Sequence, residues 1–133
     1  SVGFIVRHFD GYSIGYSPDG LVGDDGLTEW KAPRAKGHIN TVLADEVPAH
    51  YMPQCQTALL VTGRKWIDFV SFHGGLPLFI KRVLPDLQWF VAIQKAARAA
   101  EDAITDITGR YTEATAGLPA TDRIVDAVDA ITF

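Results

Sequence analysis

Several common classes of protein are excluded by what this 133-residue chain has little of. It holds one cysteine, Cys55, so no internal disulfide can form, which fits a reducing compartment. One cysteine and four scattered histidines also fit a thiolate zinc centre poorly, and Cys55 reads as a small buried apolar residue. No apolar run reaches the length of a membrane-spanning helix. The opening SVGFIVRHF lacks an initiator methionine, a basic end and a small-residue cleavage site. It reads as a strand already in progress, so the chain is expected to be an N-terminally truncated fragment. Excess positive charge is missing as well. A net charge of −4 excludes a basic coat for nucleic acid but leaves room for an acidic metal centre beside a small basic patch. There is no internal repeat and no low-complexity tract.

The 47% of apolar residues supply a core, and the length suits one domain over 1–133, with its core at 3–108. Residues 3–9 (GFIVRHF) and 12–16 (YSIGY) read as strands around the turn signal Asp10-Gly11. Residues 34–47 read as a loop with a short helix, in which Arg34, Lys36 and His38 form a basic group. Residues 48–62 predict a helix ended by Gly63. Pro53 either belongs to a late-starting first turn or kinks that helix. Gln54 and Gln56 are two apart, so at most one faces a given neighbour. WIDFVSF and LFIKRV read as strands. A long helix from Pro85 to about Thr108 carries a stripe of Phe90, Ile93, Ala97, Ala100, Ile104 and Ile107, with Arg98 and Asp102 as an i,i+4 pair. After a linker at 114–119, Thr121 can cap a short helix with Ile124, Val125, Val128 and Ile131 as its stripe. The expectation is α/β, with a mixed central sheet flanked by helices.

The informative stretch is Ser17–Pro33, SPDGLVGDDGLTEWKAP. Gly23-Asp24-Asp25-Gly26 is a tight turn between two β-type runs, and Asp24 and Asp25 belong to that turn. Centring the turn there places Asp19 opposite Trp30, next to Glu29. Glu29 and Lys31 share one face of their strand. A hairpin thus gathers two carboxylates and a lysine. Asp19 and Glu29, with the backbone carbonyl of Trp30, offer the hard oxygens that Mg²⁺ prefers, and Lys31 can hold the attacking water and offset phosphate charge. Taken singly, Asp19 is a turn residue and Glu29 and Lys31 a solvated face; the combination carries the signal. A site that had lost its activity would have no need of this lysine.

SPDGL, LTEWKAP, the block YMPQCQ and the strand WIDFVSF, in this order and spacing, resemble the phage λ exonuclease and YqaJ-type viral recombinase family of the PD-(D/E)XK nuclease superfamily. The resemblance covers residues 10–72, and more weakly the strand LFIKRV and the long helix. It implies a restriction-endonuclease-like core and Mg²⁺-dependent (Mn²⁺ can substitute), alkaline-leaning 5′→3′ digestion of linear double-stranded DNA. It also implies a 3′ overhang for a single-strand annealing protein, a ring-shaped homotrimer, and a phage or prophage origin in a bacterial cytoplasm. Asp19, Glu29 and Lys31 fall on the family's catalytic acids and lysine, and Gln54 on the glutamine that positions water and substrate. Tyr51 is a candidate substrate contact, with a half-buried aromatic as the alternative. Asp10 is a candidate second-metal ligand, with a plain turn residue as the alternative. Arg34 and Lys36, Arg64 and Lys65, and Lys81 and Arg82 are candidate phosphate contacts or solvated charges. An endonuclease of the same superfamily, or an inactive nuclease-like fold that binds DNA or protein, is the alternative function. The family's N-terminal helical part has no counterpart here.

Overall fold

A computed structural model describes residues 3–121. The chain divides into two compact units, residues 1–102 and 103–133. In the first, strands β1 (Ile5–Phe9) and β2 (Tyr12–Tyr16) form an antiparallel hairpin, with Ile5 opposite Tyr16 and Phe9 opposite Tyr12. A second sheet has the order β3-β4-β5-β6, built from β3 (Gly20–Val22), β4 (Gly26–Lys31), β5 (Trp66–Ser71) and β6 (Phe79–Val83). β4 runs parallel to β5 and the other two pairings are antiparallel, so the sheet is mixed as expected. A parallel pair needs a long crossover. Here it contains α1 (Ala35–Ala44), a 3₁₀ turn (Ala49–Tyr51) and α2 (Met52–Thr62).

α2 packs against β1, β2 and β5. Leu27, Cys55, Leu59, Ile67 and Phe69 are almost wholly buried between these elements. The late-starting reading of α2 is the one observed. The 3₁₀ turn precedes it, and Pro53 lies in its first turn, where a missing N–H costs nothing. Gly63 closes it in the left-handed region at φ 69°, where its N–H donates to the Leu59 carbonyl at 2.9 Å.

Three local expectations are corrected. The β3–β4 register pairs Gly20 with Thr28 and Val22 with Gly26, so it extrapolates Asp19 to Glu29, one residue away from the expected Trp30. The register shifts because the loop holds three residues, 23–25, with Gly23 at φ 54°. His38 is no part of a solvated basic group: it is 1% exposed. Its ring ties α1 to Ser71 Oγ through Nδ1 and to the Pro77 carbonyl through Nε2, both at 2.9 Å. The carbonyl can only accept, so Nε2 carries a proton. Arg98 does not pair with Asp102. Its guanidinium donates to the Asp10 carbonyl and lies 5.1 Å from the Tyr12 ring centroid. A fixed carbonyl and a ring face outweigh an exposed i,i+4 carboxylate.

Helix α3 spans Leu87–Ala114, longer than expected, and buries no residue fully. In the first unit its stripe works as foreseen at Phe90, which packs against the core. In the second unit Ile104 and Ile107 are exposed, and Arg110 pairs with Asp106. The helix expected after Thr121 lies outside the described residues.

Candidate active site

The inward face of β4 reads Leu27, Glu29, Lys31. Strand alternation that sends Leu27 into the hydrocarbon core sends Glu29 after it, with 2% exposure. Water cannot solvate that carboxylate, so its partners must come from the protein. Lys31 Nζ donates to Oε1 at 2.5 Å and Gln54 Nε2 donates to the same oxygen at 2.6 Å. The Tyr16 hydroxyl donates to Oε2 at 2.6 Å. Every buried side-chain polar atom among the described residues has a partner. Burial, followed by the hydrogen bond to Glu29 and its charge, pushes the Tyr16 phenol far above its usual range. Burial, and then the Glu29 charge, raises the Cys55 thiol to about 12.

Asp19 reaches the site from the chain that leads into β3. Its Oδ2 accepts from the Trp30 N–H at 2.8 Å. Lys31 accepts from the Phe72 N–H through its own carbonyl at 3.0 Å, on the β5 side. Backbone groups alternate along a strand, so the N–H and C=O of Trp30 both face the β3 side, beyond the last paired residue Gly20. The Trp30 carbonyl and the Asp19 carboxylate therefore meet on one open edge.

The structure thus brings together Asp19, Glu29, Trp30, Lys31 and Gln54. Of the two glutamines only Gln54 faces the site. Gln56 points the other way, donating to the Leu84 carbonyl at 2.9 Å and accepting from the Asp86 N–H at 3.0 Å. Tyr51 joins the group, with its ring centroid 5.2 Å from Lys31 Nζ and 5.4 Å from that of Phe69. Asp10 does not join. It sits in the β1–β2 turn, fully exposed and 3.8 Å from Arg98, at the opposite end of β2 from Tyr16. The turn reading is the one observed.

The basic candidates separate. Arg34 and Lys36 are exposed at the start of α1, three and five residues beyond Lys31. Arg64 instead spans the β3–β4 loop, donating to the carbonyls of Gly23 at 2.8 Å and Gly26 at 2.7 Å. Lys65 pairs with Asp25 at 2.9 Å in a solvated bridge. Lys81 pairs with Asp45, and Arg82 makes two bonds to Asp68 while lying 3.7 Å from the Trp66 ring centroid.

Tyr16 is the site residue that sequence reasoning passed over. The signal was present: Tyr12, Ile14 and Tyr16 share a strand face, and a tyrosine drawn into a core needs a partner for its hydroxyl.

Two carboxylates and one carbonyl are hard oxygen donors. They suit Mg²⁺, which keeps most of its waters, better than a soft metal. No three His, Cys, Asp or Glu residues come together among the described residues. An ion here would accordingly be held by few protein ligands.

Residues 2–65 match the model of the YqaJ-like viral recombinase domain. The fold is similar to the crystal structure of an alkaline exonuclease, LHK-Exo, from Laribacter hongkongensis, at 37% identity and a TM-score of 0.65. The similarity covers 74% of this chain and 55% of that one. The structure of LHK-Exo in complex with dAMP matches at the same identity and TM-score, with 54% of it covered. The chain thus spans about half the length of the solved relatives it matches. No curated protein matches.

Proposed function

From a chain that belongs to the YqaJ-like viral recombinase family, we propose a DNA exonuclease that hydrolyses phosphodiester bonds. The observation that carries this reading is the convergence on Glu29. One carboxylate oxygen takes both Lys31 and Gln54, with Asp19 held one strand away on the Trp30 backbone. Asp19, Glu29 and the Trp30 carbonyl would hold Mg²⁺, for which Mn²⁺ can substitute. When bound, such an ion makes a water nucleophilic near neutral pH and offsets charge on the phosphoryl oxygens. Lys31, fixed between Glu29 and the Tyr51 ring, presents an ammonium to the attacking water and the phosphate. Gln54 orients the same centre from α2, and Tyr16 keeps Glu29 from rotating. Arg34 and Lys36 extend the positive charge along the backbone of the substrate. Lys65 is a weaker contact of the same kind.

The finer reading is 5′→3′ digestion of linear double-stranded DNA, leaving a 3′ overhang for a single-strand annealing protein. It would take place in the cytoplasm of a bacterial host carrying the phage, with the protein as a homotrimer. No helix among the described residues is long and apolar enough to cross a membrane. The test uses 5′-phosphorylated linear duplex and closed circular plasmid with Mg²⁺, comparing the protein with Lys31→Ala and Asp19→Asn. Loss of the linear duplex alone, abolished in both variants, is expected. Nicking of the circle would replace this with the endonuclease reading, and intact substrates would leave a binding fold. Calorimetric titration of Mg²⁺ into Asp19→Ala should show no uptake.

A further inference from the structure

We propose that the cleft beside Tyr51 receives the nucleoside half of the nucleotide being cleaved, its base and sugar without the phosphate. This rests on the nuclease reading above. The cleft has a volume of about 480 Å³ and lies between α1 and the 3₁₀ turn, with Phe69 and Ser71 of β5 also lining it. That is the size of a small-molecule site and too small for a duplex. Gly37 and Ala44 keep the α1 side low. The rings of His50 and Tyr51, with centroids 4.0 Å apart, supply flat π faces, on which bases of any sequence stack. Asn40 adds amide donors and an acceptor, and Glu46 adds an acceptor.

Charge decides which half of a nucleotide belongs here. The lining holds no lysine and no arginine, and its one carboxylate, Glu46, repels a phosphate. The cation stands next door. Lys31 Nζ is 5.2 Å from the centroid of the Tyr51 ring, and Tyr51 also lines the cleft. Tyr51 is therefore a shared wall, and a base stacked on it can leave its own phosphate at Lys31 within the reach of a single nucleotide. Such a base must be unstacked from its neighbour, which a duplex end permits most easily.

Two measurements test the assignment. In ¹H–¹⁵N spectra, deoxyadenosine should move the amides of Gly37, Asn40, Thr41 and His50 saturably, and inorganic phosphate should leave them in place. No movement with the nucleoside, or equal movement with phosphate, overturns the proposal. In digestion assays, a duplex whose terminal nucleotide is abasic should be cleaved with kcat/KM about 10- to 100-fold lower than an ordinary end, the loss expected for one stacked base. Ala44→Trp, which fills the cleft, should bring the ordinary end down to the abasic rate. Equal rates on both ends with the unaltered protein overturn the cleft assignment and leave the nuclease reading standing. If the protein cuts neither end, the nuclease reading falls, and the nucleoside titration still decides whether the cleft binds a base.

Discussion

Cys55 ties stability to alkaline pH in a way that can be worked out in advance. Its side chain is fully buried on α2, one residue after Gln54, and its thiol is raised from an ordinary value near 9 to about 12. Burial is the main cause, and the Glu29 charge adds to it. The folded state therefore favours the neutral thiol. Below the unfolded value both states are protonated and this contribution is intact. Above it the unfolded chain loses its proton first, and stability falls until the folded value is passed. At about pH 10.5 the unfolded thiol is roughly 30-fold ionised against a folded thiol still mostly neutral, a loss of about 2 kcal/mol. Denaturant unfolding at about pH 8 and about pH 10.5, with reductant present, should show the protein losing about 2 kcal/mol more than Cys55→Ala between the two conditions. The variant's smaller packing deficit, about 1 kcal/mol, should be the same at both. Other groups titrate in both proteins and cancel in the difference. Parallel losses in the two proteins would refute the reasoning.

Tyr16→Phe removes one hydrogen bond to a buried carboxylate. It should lower kcat/KM on linear duplex about 10- to 100-fold with far-UV circular dichroism unchanged; full activity would remove Tyr16 from the site. Arg64→Ala should cost about 1–3 kcal/mol in thermal or denaturant unfolding, because two loop carbonyls lose their donor, and should leave the salt dependence of DNA binding unchanged. Arg34→Ala and Lys36→Ala should do the reverse: stability within about 0.5 kcal/mol, and a salt slope reduced by about one for each phosphate no longer neutralised.

How much of this was legible depends on range. Strand parity fixed the company of Glu29 and Lys31, because both lie on one short strand. The two-residue spacing of Gln54 and Gln56 limited the site to one of them, though not which. The register of β3 slipped by one because it hangs on whether the Gly23–Gly26 loop holds two or three residues, a matter of single dihedral angles. His38 and Arg98 were misjudged, and the loop contacts of Arg64 went unseen, for a different reason. Each is a polar residue whose partner lies far along the chain: the carbonyls of Gly23 and Gly26, Ser71 and Pro77, or Asp10. No local pattern encodes such pairs. The family's motif pointed to Asp19, Glu29, Lys31 and Gln54 as candidates but said nothing of Tyr16, which lies just ahead of SPDG.

The burial of Glu29 changes what Lys31 testifies to. A carboxylate with 2% exposure and no neighbouring cation would be costly to fold, on the order of 3–5 kcal/mol once its partner is removed. A chain of this fold without any catalytic activity would therefore still be held to this lysine for as long as the glutamate stayed inside. The pair is a structural debt as well as a chemical tool, and its presence alone does not separate a working enzyme from a retired one. Asp19 is the more telling witness. It is exposed, satisfies a single backbone N–H, and could be exchanged for asparagine at little cost to the fold. Folding makes a far weaker claim on that acid than on the buried pair.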